Sequence, residues 1–180
     1  MRADARRNAE LLIATAREVF TEKGAEAPLD EIAKRAGVGA GTLYRHFPTR
    51  EALIEAVYRG EVDELAELAD RLIEEYEPVE ALTRWMREQV VFVNHRRGLA
   101  RSLKETLRSG TETMEWCRNR LLTATETLLD ACKATGAVRR DIEPFDLLRL
   151  GHGLAVASEF GTREDAERML GVVLTGLRPA

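Results

Sequence analysis

Apolar residues recur at three- and four-residue intervals through most of the chain, the spacing that gathers them on one face of an α-helix. A first helix carries Ala9, Leu12, Ile13, Ala16, Val19 and Phe20 and ends near Lys23-Gly24. A second begins after Pro28, holds Asp30 and Glu31 at the positive end of its dipole, buries Ile32, Ala33 and Ala36, and stops at Gly37, which can turn left-handed. Val38 plugs the corner, and a third helix places Leu43 and Phe47 one turn apart, both facing inward. Pro48-Thr49-Arg50-Glu51 reads as turn and cap feeding a long helix with Leu53, Val57, Leu65, Leu68 and Leu72, which ends at Tyr76-Glu77-Pro78. The next helix, with Leu82, Trp85, Met86, Gln89, Val90 and Val93, is broken at Arg96-Arg97-Gly98. A short helix around Leu99–Leu107 and a longer one over Thr111–Lys133 follow, separated by Ser109-Gly110, and Gly136 stops the latter. The last two helices cover about Pro144–Phe160 and Arg163–Leu177. The predicted fold class is all-α, with a three-helix N-terminal domain over 1–50 and a helical body over 51–180.

Two short helices joined by a fixed corner form a helix-turn-helix, whose second helix is shaped to enter the major groove of DNA. At about 100° per residue, burying Leu43 and Phe47 turns Gly41, Thr42 and Arg45 outward, with Tyr44 and His46 flanking them. Ala40 and Gly41 lack bulk and leave room for a phosphate or base edge to approach, and Arg45 reaches the groove floor. Gly37, Leu43 and Phe47 need no role beyond holding the hairpin together. Thr, Tyr, Arg and His on one exposed face are harder to explain without a phosphate partner. Arg2, Arg6 and Arg7 make a short basic arm that either lies along the DNA backbone or only keeps the terminus soluble.

Gly24 closing the first helix, then Ile32-Ala33, Ala36-Gly37-Val38, Gly41-Thr42-Leu43-Tyr44, His46-Phe47 and Glu51-Ala52-Leu53, resemble the DNA-binding domain of the tetracycline-repressor (TetR) family. The segment Ala134-Thr135-Gly136-Ala137-Val138-Arg139-Arg140-Asp141-Ile142 before an apolar helix is similar to the ligand-binding halves of that family. The resemblance implies that Thr42, Tyr44 and His46 touch the sugar-phosphate backbone, that Ala40, Gly41 and Arg45 face base edges, and that Arg50 binds phosphate at the start of the next helix. Two residues depart from the family pattern. Gly39 stands where a helix-capping serine is usual, so the recognition helix starts less firmly. Arg50 replaces the commoner lysine, keeping the charge and adding a forked donor.

Composition fits a small two-part soluble protein, since 180 residues with 44% hydrophobic content can supply a core. The net charge of −4 speaks against nucleic acid by itself. Residues 1–50, however, hold nine Lys/Arg against seven Asp/Glu, giving +2, and the remainder carries −6. That split suits a DNA reader attached to a body that does not touch DNA, with modest and salt-sensitive non-specific binding. No stretch approaches a membrane span and the N-terminus lacks the apolar region of a secretion signal, so the cytoplasm is the expected location and no membrane partner is expected. The excess of Arg over Lys fits a GC-rich bacterial genome.

Cys117, on the stripe of Met114, Leu121 and Leu128, and Cys132 read as core thiols. His46, His95 and His152 show no ligand-like clustering, and neither a metal nor a cofactor is expected. Trp85, Met86, Phe92, Met114 and Trp116 are candidate liners of an effector pocket, core packing being the plainer reading of any one of them, and Arg118, Glu88 and His95 are candidates for its polar contact. The last two helices carry apolar or small residues on more than one face. Leu147, Gly151, Leu154 and Ser158 make a flat row on one, and Met169, Leu170, Val173 and Leu177 belong to a stripe on the other; a face left without a partner predicts a homodimer through a four-helix interface. Two-fold symmetry would set two recognition helices about 34–36 Å apart and favour a palindromic operator. The expected function is ligand-responsive transcriptional repression, in which a small molecule of unknown identity favours a spacing that no longer fits the operator. A DNA-binding activator or an architectural protein without effector would share the same reading head. The alternative of another class, a small helical enzyme, lacks a nucleophile elbow, a phosphate-binding glycine loop or a metal-ligand pair at helical spacing.

Overall fold

The computed structural model describes residues 2–106 and 110–179. Among them it has eight α-helices: α1 Arg2–Lys23, α2 Leu29–Arg35, α3 Ala40–His46, α4 Arg50–Glu75, α5 Pro78–Thr106, α6 Gly110–Ala134, α7 Pro144–Ala157 and α8 Arg163–Gly176, with a turn of 3₁₀-helix at Ser158–Phe160 between the last two. The all-α class is therefore present. Gly37 and Gly136 take φ of +70° and +71°. Each ends its helix in a left-handed cap closed by two backbone bonds, Val38 N–H to Ala33 C=O (3.0 Å) with Gly37 N–H to Lys34 C=O (3.2 Å), and Ala137 N–H to Cys132 C=O with Gly136 N–H to Lys133 C=O (both 3.1 Å).

Two expectations about these elements are corrected. Helix α5 is not broken at Arg96-Arg97-Gly98 but continues to Thr106. One interior glycine costs only about 1 kcal/mol relative to alanine, and the turn around it is anchored by buried Leu99 and by Arg96, whose Nη1 donates to Thr21 Oγ1 at 2.8 Å. The expected short helix from Leu99 is thus the end of α5, while Leu107 and Ser109 lie outside the described residues. Helix α1 already begins at Arg2, so Arg6 and Arg7 sit in its opening turns and not in a separate arm.

The chain divides into two compact units. The first comprises the described parts of Met1–Glu61 and Arg96–Met114, so its boundary lies eleven residues beyond the expected 50 and it recruits a second segment. The reason is packing: Leu12, Phe20, Ile32, Leu43 and Phe47 form one cluster with Leu53, Ile54 and Val57 of α4 and Leu99 of α5. Three helices alone would leave much of that surface uncovered. Between α1, α4 and α5 the Glu61 carboxylate, 3% exposed, pairs with Arg17 at 3.0 Å and with Arg96.

The second unit comprises Val62–His95 and the described part of Glu115–Ala180. Its core gathers Leu65, Leu82, Trp85, Met86, Leu128, Leu129 and Leu147. Of the residues expected at the dimer face, Leu147, Gly151, Leu154, Leu170 and Leu177 are buried within the chain, Leu154 at the wall of a cleft beside Leu150 and Val173. The flat row on α7 is real, but α5 fills it, for Gln89 donates to Leu148 C=O at 3.0 Å and its Oε1 occupies the space where a side chain at Gly151 would begin. Met169 and Val173 are half-buried against the same core. Ser158 Oγ donates to Ala155 C=O (3.1 Å) and accepts from Asn94 (3.4 Å). No described helix is long and apolar enough to cross a membrane.

Candidate nucleic-acid interface

Helix α3 is held by its inner side. Leu43 is 0% exposed and Phe47 8%, and this fixes what faces out: Ala40, Gly41, Tyr44 and Arg45 are exposed, with Thr42 and His46 half-buried beside them. Gly39 occupies the N-cap with no side-chain bond, and its carbonyl takes Thr42 N–H at 2.8 Å and Leu43 N–H at 3.2 Å. The start of α3 therefore rests on backbone alone. Arg45 Nη2 donates to Thr42 Oγ1 at 3.2 Å, one turn back along the helix.

Arg50 has a task that no spacing rule suggested. From the first residue of α4 its Nη1 donates to Ala25 C=O at 2.8 Å and to Ala27 C=O at 2.6 Å, tying the α1–α2 loop to the helix that follows α3. A guanidinium has five N–H donors, so this staple leaves others for a phosphate. Just before it, Thr49 Oγ1 caps α4 by accepting from Ala52 N–H at 3.2 Å.

Much of the basic charge around the hairpin is internally neutralised. Lys23 pairs with Glu31 at 2.7 Å, Arg35 with Glu22 at 2.8 Å and Glu31 at 2.9 Å, and Arg6 with Glu10 at 3.0 Å. The hydrogen bond from Lys23, helped by Arg35, holds the Glu31 carboxyl below the usual carboxylate range. Lys34 and Arg45 have no carboxylate partner among the described residues, so their charge is directed at solvent or at a ligand.

In the second unit the five apolar residues expected around an effector are not brought together. Trp85 and Met86 are fully buried core residues, Trp85 Nε1 donating to Leu65 C=O at 2.8 Å. Phe92 packs at the edge of that core, Met114 packs against the core of the first unit, and Trp116 is half-buried on α6. Two of the polar candidates do meet. Glu88 and His95 line a groove of about 470 Å³ beside Asn94, Ser158 and Arg163, with Val90, Val91 and Leu170 supplying apolar wall; Arg118 is exposed on α6 and does not line it. Arg87 closes one side by gripping both carboxylate oxygens of Glu167 at 2.9 Å. Both cysteines, Cys117 and Cys132, are buried and not joined in a disulfide.

The apolar surface that α7 and α8 leave exposed lies on faces other than the buried rows. Phe145, Leu150 and Val156 are exposed on α7, and Val172 of α8 is 70% exposed, the most of the large hydrophobics among the described residues. Between them Leu150, Gly153, Ala157 and Val173 line a shallow, mostly apolar cleft.

The first unit matches a family model described as bacterial regulatory proteins, tetR family, over residues 12–57. A second model, described as transcriptional regulator SbtR-like, C-terminal domain, matches residues 77–179. An HTH-type transcriptional regulator of Staphylococcus aureus (strain USA300) is 39% identical over 64 residues, which is 35% of each protein; the chain thus spans about a third of the length of the curated relatives it matches. Over the whole chain, the crystal structure of a TetR transcriptional regulator from Streptomyces coelicolor is similar at 40% identity and a TM-score of 0.80, covering 96% of this chain and 99% of that one. A TetR transcription regulatory protein from Mycobacterium vanbaalenii is similar at 34% identity and a TM-score of 0.79, covering 99% of both. With its reading-head helices and its helical body both matched, the chain belongs to the TetR family of bacterial regulatory proteins.

Proposed function

We propose that the protein is a DNA-binding transcriptional regulator that occupies a palindromic operator as a homodimer, blocks transcription there and is released by a small molecule. The observation that carries the DNA-binding reading is the outer face of α3, where Gly41, Tyr44 and Arg45 have no carboxylate partner among the described residues while Leu43 and Phe47 lock the helix from behind. In this reading Tyr44, His46 and Arg50 contact sugar and phosphate, and Arg45 reads a base edge past the low profile of Ala40 and Gly41.

Dimerisation is supported by the apolar surface of α7 and α8 centred on Leu150, Gly153, Val156, Ala157 and Val172. A second copy related by a two-fold axis would cover it with the same residues and present two reading heads to successive major grooves. The groove beside Glu88 and His95 is the place proposed for the effector, its volume lying within the range of small-molecule sites. Release requires that the effector bind the DNA-incompetent state more tightly than the competent one.

A gel-shift with the intergenic DNA upstream of the protein's own gene, followed by footprinting and repeated with a panel of metabolites, tests the reading. One protected palindrome overlapping a promoter, lost when a particular metabolite is added, is the expected result. Even coverage of any duplex would overturn sequence-specific regulation in favour of an architectural role.

A further inference from the structure

We propose that Thr42 is a positioning residue for Arg45, fixing the direction of its guanidinium for base reading, and not an independent contact to the sugar-phosphate backbone. The inference rests on the DNA-reading function proposed above. Its observation is the bond from Arg45 Nη2 to Thr42 Oγ1 at 3.2 Å, between residues three apart on α3 and so stacked on one face. The two ends of this bond differ in freedom. Thr42 is half-buried and β-branched, which restricts its χ1 rotation, whereas Arg45 is exposed and long. The hydroxyl is therefore the fixed point and the guanidinium the group that it orients.

The acceptor is neutral, so the bond leaves the arginine charge uncompensated, unlike Arg35 and Arg6, which are held by carboxylates. It also engages one nitrogen of a fork with five N–H donors, leaving enough for the paired bonds by which arginine takes the O6 and N7 of guanine. An arginine already directed loses less rotamer freedom on binding. A hydroxyl that contacts phosphate on its own would strengthen binding to every sequence alike, whereas one that aims Arg45 strengthens only the sequence that Arg45 reads.

A double-mutant cycle on the full-length protein separates the two. The duplex is enriched from a random pool by the wild-type protein and compared with a scrambled version, using Thr42→Val, Thr42→Ala, Thr42→Ser, Arg45→Ala and Thr42→Val/Arg45→Ala, with thermal melting of each variant confirming that it is folded. Thr42→Val and Thr42→Ala should weaken the enriched duplex by roughly threefold to tenfold while sparing the scrambled one, and Thr42→Ser should restore binding. Thr42→Val should cost almost nothing further once Arg45 is alanine. The positioning role is overturned if Thr42→Val weakens both duplexes equally, or costs as much without Arg45 as with it. Failure to enrich any sequence, or Arg45→Ala binding the enriched duplex as wild type does, would overturn the base-reading function itself and the positioning role with it.

Discussion

Glu61 is nearly sealed from water, and guanidinium groups from two other helices, those of Arg17 and Arg96, face its carboxylate. Removing it would leave Arg96, only 13% exposed, beside an unfilled acceptor position. Glu61→Ala should lower unfolding free energy by on the order of 2–4 kcal/mol, somewhat less than for a fully buried pair because Arg17 keeps 38% of its side chain in solvent. A urea titration showing an unchanged midpoint would contradict this. Arg45 calls for a different measurement, since its loss should leave stability intact. Arg45→Ala is expected to reduce discrimination at one base pair by roughly 1–3 kcal/mol, read as the affinity ratio between the operator and single-base variants; an equal loss on random duplex would refute base reading. At this scale the sequence was informative where a rule links near neighbours, as in the inward Leu43 and Phe47. It was silent where the partner is distant along the chain, as for Arg50 and the carbonyls of Ala25 and Ala27.

The helices are written in the periodicity, but their ends and faces depend on what they pack against. Gly98 has the signature of a stop and is not one, because Leu99 is buried and the helix gains more from that packing than the glycine loses. The flat row of α7 was visible in sequence, yet whether it would meet another helix of the same chain or of a second copy was not, since a row of small residues accepts either. Helix α8 shows the opposite case, an end fixed locally. Thr162 and Asp165 form a capping box, the Asp165 carboxylate accepting Thr162 N–H at 2.8 Å while Asp165 N–H donates to Thr162 Oγ1 at 3.2 Å. That backbone bond, with Arg168 and the Thr162 hydroxyl, pulls the Asp165 carboxyl down to about 2. A folded value below the ordinary one means that the box contributes fully above the normal carboxylate range and is lost as pH falls through about 2. Helicity measured by circular dichroism between pH 5 and 2 should therefore decline less steeply in Asp165→Asn, which carries no titrating group there, and identical curves would count against the box.

For the molecule as a whole, the shift of charge after residue 50 does not coincide with the edge of the first compact unit, because the covering of its core comes from Leu53, Ile54, Val57 and Leu99. Those residues read equally well as the inner face of long helices belonging to the second unit. The homodimer proposed for the family fold makes its own demand. Leu150→Glu combined with Val172→Glu places charge on exposed sites without touching the buried row, so the chain should stay folded, sediment as a single subunit and lose preference for a palindrome over a half-site. A variant that still sediments at twice the subunit mass would move the interface elsewhere.

Both thiols lie in the second unit, and residues 1–114 contain none. Burial pushes Cys132 up to about 11, so at neutral pH almost none of that thiol is thiolate while the unit is closed, and Cys117 is shielded by its own burial. The protein thus carries a chemical clock for the opening of one half only: iodoacetamide uptake should track loosening of the second unit and stay blind to fraying of the first. A compound that stabilises the second unit would register as slower labelling before its identity, or any DNA sequence, is known.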